Sequence, residues 1–265
     1  FTFEDYKAPT TPGYESGYLQ NNNFRNRMYN FELLALYNNS WGNFDFNATL
    51  GGNLYKVNNQ TIVTTAKDMK IRDVVALMSF NEVSVEPYSY RKQINSIYGA
   101  VNLGWKHMLY FDATLRGDQS STLPISNNMY IYPSFSGSFV FSELLKLGDK
   151  LPYGKVRMSW AQVGSDTDPY QLGLVYTKSK FAYPGYTIGY ISNGTIPNKD
   201  LKPTKTNSFE MGLELKFLKN RIGLDFTYYS QLSKNQIMGM ASSSTSGYGY
   251  RLINAGEIEN KGVEI

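Results

Sequence analysis

The stretch Phe209–Tyr229, FEMGLELKFLKNRIGLDFTYY, alternates apolar and polar side chains on both sides of a short interruption. Every second residue of its first half is apolar: Phe209, Met211, Leu213, Leu215 and Phe217. After Leu218–Arg221 the alternation resumes, with apolar side chains at Ile222, Leu224, Phe226 and Tyr228. Successive side chains of a strand point to opposite faces of a sheet, so the stretch predicts a two-sided β-hairpin. The apolar face needs a cover, which is either a protein core or lipid.

The same alternation recurs along the 265 residues and predicts an almost wholly antiparallel β fold of about nine strands. One set of predicted strands runs in one direction, near Phe24–Tyr37, Ile97–Trp105, Tyr130–Phe141, Ser208–Phe217 and Arg251–Ile265. The strands between them run in the opposite direction, near Asn43–Tyr55, Leu109–Asp118, Gly154–Gly164 and Ile222–Leu232. A single helical turn is predicted at Ser142–Leu147, with Ser142 as its cap.

The predicted connections alternate in length along the chain. The links 38–42, 106–108 and 218–221 are short, whereas 58–96, 165–206 and 233–249 are long. Outer-membrane barrels have short periplasmic turns and longer extracellular loops, and their strands need roughly 9–11 residues to cross the hydrocarbon. Soluble strands are most often about 5–6 residues long. The pattern therefore favours an antiparallel transmembrane β-barrel, and the alternative is a soluble sandwich in which two apolar faces meet.

Composition excludes several other classes. The chain is 15% aromatic, with 22 Tyr and 15 Phe, and its charged fraction of 18% lies below the average of about 25% for globular domains. It has no cysteine, which excludes disulfide and thiol chemistry. The net charge of +4 is spread along the chain without a basic run, so nucleic-acid binding is not expected.

Several motifs resemble those of one family, the SusC/RagA-like TonB-dependent outer-membrane transporters of Bacteroidetes. The matching segments are Leu-Arg-Gly-Asp-Gln-Ser-Ser at 115–121, Tyr-Pro-Ser-Phe-Ser at 132–136, Lys-Val-Arg-Met-Ser-Trp at 155–160, Asn-Lys-Asp-Leu-Lys-Pro at 198–203 and Asn-Lys-Gly-Val-Glu at 260–264. The sequence departs from the family pattern at Gln119, where Gly is usual, and at Thr204, where Glu is usual. Both departures fall in predicted loops.

The resemblance implies a function and a set of partners. It implies active import of a large nutrient, an oligosaccharide or a peptide, across the bacterial outer membrane, without chemistry on the substrate. It further implies a SusD-like surface lipoprotein and the TonB–ExbB–ExbD complex, which acts through a plug domain. Barrels of this type close with about 22 strands. Residues 1–265 are therefore expected to be part of a TonB-dependent receptor β-barrel domain, without its plug and N-terminal extension.

Two other functions remain open at this point. One is a TonB-dependent siderophore or cobalamin receptor that works without a lipoprotein lid. The other is a β-barrel with a structural or adhesive role that transports nothing. An upstream plug would separate both transporters from the third function, and a co-purifying lipoprotein would separate the two transporters.

Two sets of side chains are candidates for binding. Tyrosines in or beside the long loops are candidates for substrate contact, because the ring offers a flat apolar face and a hydroxyl. Tyr176 and Tyr190 fall in these loops, and the residues expected to contact substrate are Tyr88, Tyr90, Tyr130, Tyr170, Tyr183 and Tyr186. The alternative is that loop tyrosines pack on one another. Charged residues on the polar face are expected to line the barrel lumen and to pair with one another: Arg116, Asp118, Arg157, Glu210 and Glu214. The alternative for these is direct contact with substrate.

No catalytic constellation or cofactor motif is present in the sequence. Its one histidine, His107, falls in a short turn, where an outer-membrane phospholipase would need a Ser-His pair on the outer barrel face. The loop segment Gly164–Pro169 contains Asp166 and Asp168, which makes calcium in the outer loops an alternative to simple turn formation. The expectation is a protein that is not an enzyme and holds no cofactor.

Overall fold

The structure, a computed structural model, describes residues 2–72, 74–145, 148, 151–178, 186, 188–191 and 194–265. One large sheet contains ten strands in the order β1-β2-β3-β4-β5-β6-β7-β11-β12-β15. These strands are β1 (Thr2–Lys7), β2 (Tyr18–Trp41), β3 (Phe44–Met69), β4 (Phe80–Trp105), β5 (Leu109–Ser120), β6 (Met129–Val140), β7 (Tyr153–Ser165), β11 (Thr204–Phe217), β12 (Ile222–Lys234) and β15 (Glu257–Glu264). Among the described residues no helix is long and apolar enough to cross a membrane.

The remaining strands form two small sheets. The strands β8 (Tyr176–Lys178) and β9 (Gly189–Ile191) pair with each other. The strands β10 (Thr195–Ile196), β14 (Tyr250–Asn254) and β13 (Ile237–Ala241) form the second. One short helix, α1 (Phe141–Leu145), lies where a helical turn was predicted. Ser142 does not cap it: the residue lies inside the helix, and its buried Oγ has no hydrogen-bond partner among the described residues.

All nine predicted strands overlap strands of the structure, whereas β1, β8, β9, β10 and β13 were not predicted, and two predicted boundaries are wrong. The predicted long loop 58–96 is wrong, because β3 continues to Met69 and β4 begins at Phe80. The run Thr61-Ile62-Val63-Thr64-Thr65 is rich in β-branched residues, and this strand signal extends β3. The predicted strand Arg251–Ile265 divides into β14 and β15 at Gly256, whose φ of +82° is one that residues with side chains rarely adopt.

The hairpin of β11 and β12 has two chemically distinct faces, as its alternation predicts. In register, Met211 lies opposite Tyr228 and Leu213 opposite Phe226, whereas Glu214 lies opposite Asp225 on the other face. The apolar side chains are not covered by the described chain, since Met211 is 45% exposed and Leu224 is 41% exposed. This part of the large sheet thus has an apolar face without a protein core over it, and a polar face.

The chain divides into two compact units, to both of which β2, β3 and β4 contribute residues. The first unit comprises Phe1–Asn30 and Tyr55–Gln93. Its buried core is formed by Leu19, Ala66 and Phe80, with Tyr6 and Met69 packed against it. The second unit comprises Phe31–Leu54 and Ile94–Ile265, and it contains most of the large sheet and both small sheets.

Turn geometry fixes the register of β4 and β5. Lys106 and His107 both have positive φ, 51° and 56°, and the Met108 amide donates to the Trp105 carbonyl at 2.9 Å. Two central residues with positive φ match the right-handed twist of the flanking strands, which is why such turns close hairpins. Trp105 consequently lies opposite Leu109, Leu103 opposite Phe111 and Val101 opposite Ala113, so the apolar side chains at this end of the two strands share one face.

A close approach at Gly51 gives a test of the packing. A Cβ at Gly51 would overlap the ring of Tyr98, whose hydroxyl donates to Glu32, whereas a Cβ at Gly52 meets nothing nearer than the Ser96 carbonyl at 3.8 Å. We expect Gly51→Ala to lower the free energy of unfolding by about 1–3 kcal/mol, because the ring must move. Gly52→Ala should change it by no more than about 0.5 kcal/mol. Thermal unfolding of the two purified variants provides the comparison, and equal stabilities would contradict the packing at Gly51.

Candidate functional site

The second unit has two different ends, defined by its connections. At one end lie the short links 42–43, 106–108 and 218–221 and the helix-containing link 141–152. At the other end lie the longer links 121–128, 166–203 and 235–256, which contain both small sheets. We call these the short-turn end and the long-loop end. The candidate site consists of the long-loop end and the polar face of the sheet below it.

A buried hydroxyl pair fixes the beginning of the longest link. Ser120, the last residue of β5, and Thr122 are almost fully buried, and their hydroxyls both donate to Oδ2 of Asp166. The Thr122 contact is 3.1 Å, and the two hydroxyl oxygens are 2.9 Å apart. Asp166 is the first residue after β7, so this contact ties link 166–203 to the end of β5. We call these three residues the loop anchor.

A small apolar core lies beside the loop anchor. Leu123, Tyr130, Leu201 and Leu252 form one buried cluster, and Tyr132, Leu172 and Ile237 pack against it. The cluster takes residues from three links or their adjacent strands, so the long loops share one core. Loops of this length need a core of their own to be ordered, because their backbone entropy is otherwise unopposed.

The side chain of Asn254 joins two of these links. It accepts a hydrogen bond from the Lys202 amide and donates to the Lys202 carbonyl, each at 2.8 Å. It also donates to the carbonyl of Asn235 at 3.0 Å. A side-chain amide can in this way replace a neighbouring strand and satisfy backbone groups where no regular ladder continues. Nothing in the sequence pattern marks Asn254 for this role.

The structure places the predicted substrate tyrosines in different environments. Tyr130 is only 7% exposed and stacks on Tyr132, with ring centroids 5.8 Å apart. For this residue the alternative, that tyrosines pack on one another, is therefore correct. Tyr88 and Tyr90 lie within β4 rather than in a loop, and both are exposed. Tyr170 and Tyr186 are exposed at the long-loop end. Tyr183 lies outside the described residues.

The paired strands β8 and β9 carry two further loop tyrosines, Tyr176 and Tyr190, and both are exposed. Tyr176 lies opposite Ile191, and Tyr190 lies opposite Thr177. Tyr176 is 79% exposed, and Leu174 and Val175 beside it are also exposed.

Arg116 and Asp118 pair with each other on the polar face, as predicted. Arg116 Nε lies 2.9 Å from Asp118 Oδ1, and its Nη2 donates to Ser96 Oγ at 2.9 Å. The Tyr132 hydroxyl donates to the second oxygen of Asp118, and the Arg116 guanidinium lies 5.3 Å from the ring centroid of Tyr98. Asp118 is almost completely buried by these partners. The network links β4, β5 and β6 side by side.

Arg157 has a different partner from the predicted one. It donates to both oxygens of Asp225, at 3.1 and 2.7 Å, and to Thr227 Oγ1 at 2.7 Å, rather than to Glu210 or Glu214. Gly212 lies opposite Arg157 in register, and a Cβ there would overlap the guanidinium. Because this position carries no side chain, Arg157 crosses the whole width of β11 to reach β12. Glu214 lies instead 3.6 Å from Lys216 Nζ.

The described residues offer no metal cluster and no nucleophile–base pair at His107. No group of three or more His, Cys, Asp or Glu side chains in this part of the chain is arranged to hold a metal ion. One oxygen of Asp166 is engaged by the loop anchor, and Asp168 is exposed. The His107 side chain is 85% exposed in its turn, 4.0 Å from an oxygen of Asp45. The site is a surface of hydrogen-bonding and aromatic groups, which suits binding.

Comparison with known proteins gives one family. A family model described as TonB dependent receptor-like, beta-barrel, matches residues 1–265. The chain is 26% identical to TonB-dependent receptor P3 of Formosa agariphila, over 88% of this chain and 24% of the relative. It is also 26% identical to TonB-dependent receptor SusC of Bacteroides thetaiotaomicron, over 67% of this chain and 18% of that protein.

A solved structure shares the fold. The RagAB peptide transporter structure superimposes with a TM-score of 0.88 at 21% identity, covering 99% of this chain and 30% of the other. At this identity the likeness shows the fold alone. The chain spans less than a third of the length of each of these three relatives.

The loop anchor can be tested by removing its carboxylate. Asp166→Ala removes the acceptor that the buried hydroxyls of Ser120 and Thr122 share, so that one of them can donate only to the other and one is left without an acceptor, and it frees the beginning of link 166–203. An unsatisfied buried polar group costs about 1–3 kcal/mol, so we expect this link to open more often. Limited trypsin digestion should cut within 166–203 faster than in the unchanged protein. Asp168→Ala, at an exposed carboxylate in the same link, is the matched control and should leave the rate unaltered.

Proposed function

The chain belongs to the TonB-dependent receptor-like β-barrel family, and we propose that it forms part of the barrel of an importer that carries a large nutrient, an oligosaccharide or a peptide. Members of this family are outer-membrane transporters, and the protein is accordingly an outer-membrane protein. In the proposed importer, a SusD-like surface lipoprotein delivers the substrate at the long-loop end. TonB–ExbB–ExbD supplies the energy through a plug domain elsewhere in the transporter.

The observation that carries this proposal is the contrast between the two faces of the sheet. The apolar face is exposed and carries Met211, Leu224 and Phe226, which lipid can cover. The opposite face carries paired charges at Arg116–Asp118 and Arg157–Asp225. Charged groups at membrane depth are tolerated where they face water or one another, so the polar face bounds an aqueous chamber. A chamber of this kind is what a large polar nutrient needs.

The tyrosines at the long-loop end support a binding role for that end. Tyr170, Tyr176, Tyr186 and Tyr190 are all exposed. Tyrosine rings contribute large contact areas with little loss of side-chain entropy, and they stack equally well on sugar rings and on peptide side chains. We assign Tyr170 and Tyr186 to substrate contact. Tyr176 and Tyr190, with the adjacent Leu174 and Val175, form an apolar edge suited to the lipoprotein.

The paired charges of the polar face have a structural role in this proposal. Arg157 and Asp225 fasten β7 to β12 across β11, and Arg116 and Asp118 join β5 to its neighbours. Each guanidinium is held by a carboxylate and at least one hydroxyl, which leaves little capacity to bind a passing substrate. Glu210 is the remaining predicted lumen residue, and it faces the chamber beside them.

The partner part of the proposal can be tested on the native complex. We expect the full-length transporter, extracted from outer membranes in mild detergent through an affinity tag, to carry a surface lipoprotein, identified by intact mass. The matched variants are Tyr176→Ser with Tyr190→Ser, which should reduce the recovered lipoprotein, and Tyr88→Ser, which should not. Recovery of the transporter without any lipoprotein would contradict a lidded importer and favour a receptor that works alone.

The substrate part is tested by separating contact residues from packing residues. Tyr170→Ala and Tyr186→Ala should leave the amount of folded transporter unchanged and slow the uptake of labelled oligosaccharides or labelled peptides by cells. Tyr130→Ala should instead reduce the amount of folded protein, because removing a buried aromatic ring costs about 3–5 kcal/mol. Unchanged uptake of both substrate classes in the Tyr170 and Tyr186 variants would refute the assigned contacts.

A further inference from the structure

The apolar face of the second unit contains an open groove near the short-turn end. Its volume is about 550 Å³, and its walls come from β4, β5, β6 and β7, with Phe44 of β3 beside them. The lining side chains are almost all apolar and include Leu103, Trp105, Phe111, Phe139 and Met158. It lies on the face that lipid covers, so it is not part of the polar chamber.

A missing side chain at Gly137 creates this groove. Gly137 lies opposite Phe111 of β5 and opposite Met158 of β7, so the large side chains on either side stand around an open position. A Cβ at Gly137 would meet nothing nearer than the Tyr110 carbonyl at 3.8 Å, so the space above it is open. No backbone constraint requires glycine at position 137, because the φ of Gly137 is not positive.

The neighbouring aromatic side chains limit the groove along the strands. Phe135 and Trp160 stack with centroids 6.1 Å apart and planes inclined by 14°, and they stand on the same face two residues beyond Gly137. Phe139 and Trp105 lie toward the short-turn end. From Phe139 to Phe135 the strand rises roughly 13 Å, at about 3.3 Å per residue. At the tilt of about 35–45° that strands of such barrels have, this length covers about 9–11 Å of depth, which fits within one leaflet of a roughly 30 Å hydrocarbon core.

A cation lies at the short-turn end of the groove. Lys106 follows Trp105 directly, and its Nζ stands 4.8 Å from the centroid of the Trp105 ring. The ammonium is therefore held over an aromatic residue that lines the groove. Short turns of outer-membrane barrels face the periplasm, so this end meets the inner leaflet, where the lipids are glycerophospholipids. A phosphate at the head of an acyl chain in the groove would lie on the side where Lys106 stands.

Packing, rather than the hydrophobic effect, would hold such a chain. Lipid tails are as apolar as the groove, so moving a tail into it gains little from the removal of water. An empty groove, however, leaves its walls without dispersion contacts, and a chain that fills it restores them. The phosphate–ammonium contact adds electrostatic attraction at the interface and orients the lipid.

We propose that the Gly137 groove binds one inner-leaflet glycerophospholipid, with an acyl chain between Phe111 and Met158 and the phosphate at Lys106. The lipid completes the surface of the barrel wall at the point where the sequence leaves out a side chain. Its occupancy is a property of the wall alone and does not depend on which substrate the transporter carries.

The test uses the full-length transporter in nanodiscs of phosphatidylethanolamine and phosphatidylglycerol, followed by native mass spectrometry during stepwise release of lipid. Gly137→Leu fills the groove with a side chain, and Lys106→Gln removes the cation while preserving much of its length. Gly223→Leu is the matched control, because Gly223 lies on the polar face and a Cβ there meets nothing within 4 Å.

We expect the unchanged protein and Gly223→Leu to retain one tightly held phospholipid that Gly137→Leu loses. Lys106→Gln should release this lipid at an earlier step, and it tests the proposal even if Gly137→Leu folds poorly, since Lys106 lies in a turn. Equal retention in all four proteins would overturn the proposal. So would a retained lipopolysaccharide in place of a phospholipid, or a loss of transporter dimers in Gly137→Leu, which would make the groove a contact between copies.

Discussion

The structure depends on one constraint, which is that successive residues of a paired strand face opposite sides of the sheet. In this chain the two sides meet different surroundings, so the alternation separates apolar from charged residues with few exceptions. Met211 and Glu210 are neighbours in sequence, yet one lies on the exposed apolar face and the other on the polar face. A shift of one residue in register would exchange these faces, which is why the turns at 106–108 and 218–221 matter to the whole sheet.

The wall is also shaped by the positions at which side chains are absent. Tyr98 lies across Gly51, and Arg157 lies across Gly212, so a large side chain of one strand covers the bare backbone of its neighbour. At Gly51 and Gly212 a long side chain thereby gains partners beyond the adjacent strand, Glu32 for Tyr98 and Asp225 for Arg157. Gly137 differs because no protein side chain covers it, and the resulting space opens toward lipid.

The long-loop end is ordered by different contacts, because its backbone does not continue the hydrogen-bonded strand pairing of the large sheet. Order there comes from the small core around Leu201, from the loop anchor and from the amide of Asn254. These contacts hold the links while Tyr170 and Tyr176 stay exposed. A binding surface carried on links that share a core can present aromatic groups at low entropic cost, which suits the capture of a large ligand.

The alternation in the sequence was enough to predict nine strands and the chemistry of their faces, because a period of two is a local property of the chain. It did not predict β1 or the short strands β8, β9, β10 and β13. The sequence also identified Arg116 with Asp118, which lie two residues apart on the same face of one strand. Only the tertiary structure decided the partners that are distant along the chain. Arg157 pairs with Asp225 because Gly212 lies between them, and Tyr130 is buried because Leu201 and Leu252 close over it. The extension of β3 to Met69 and of β4 back to Phe80 was missed, although the β-branched run at 61–65 favours a strand, because a polar strand at a loop-like position is recognised with certainty only when its neighbours in the sheet are known.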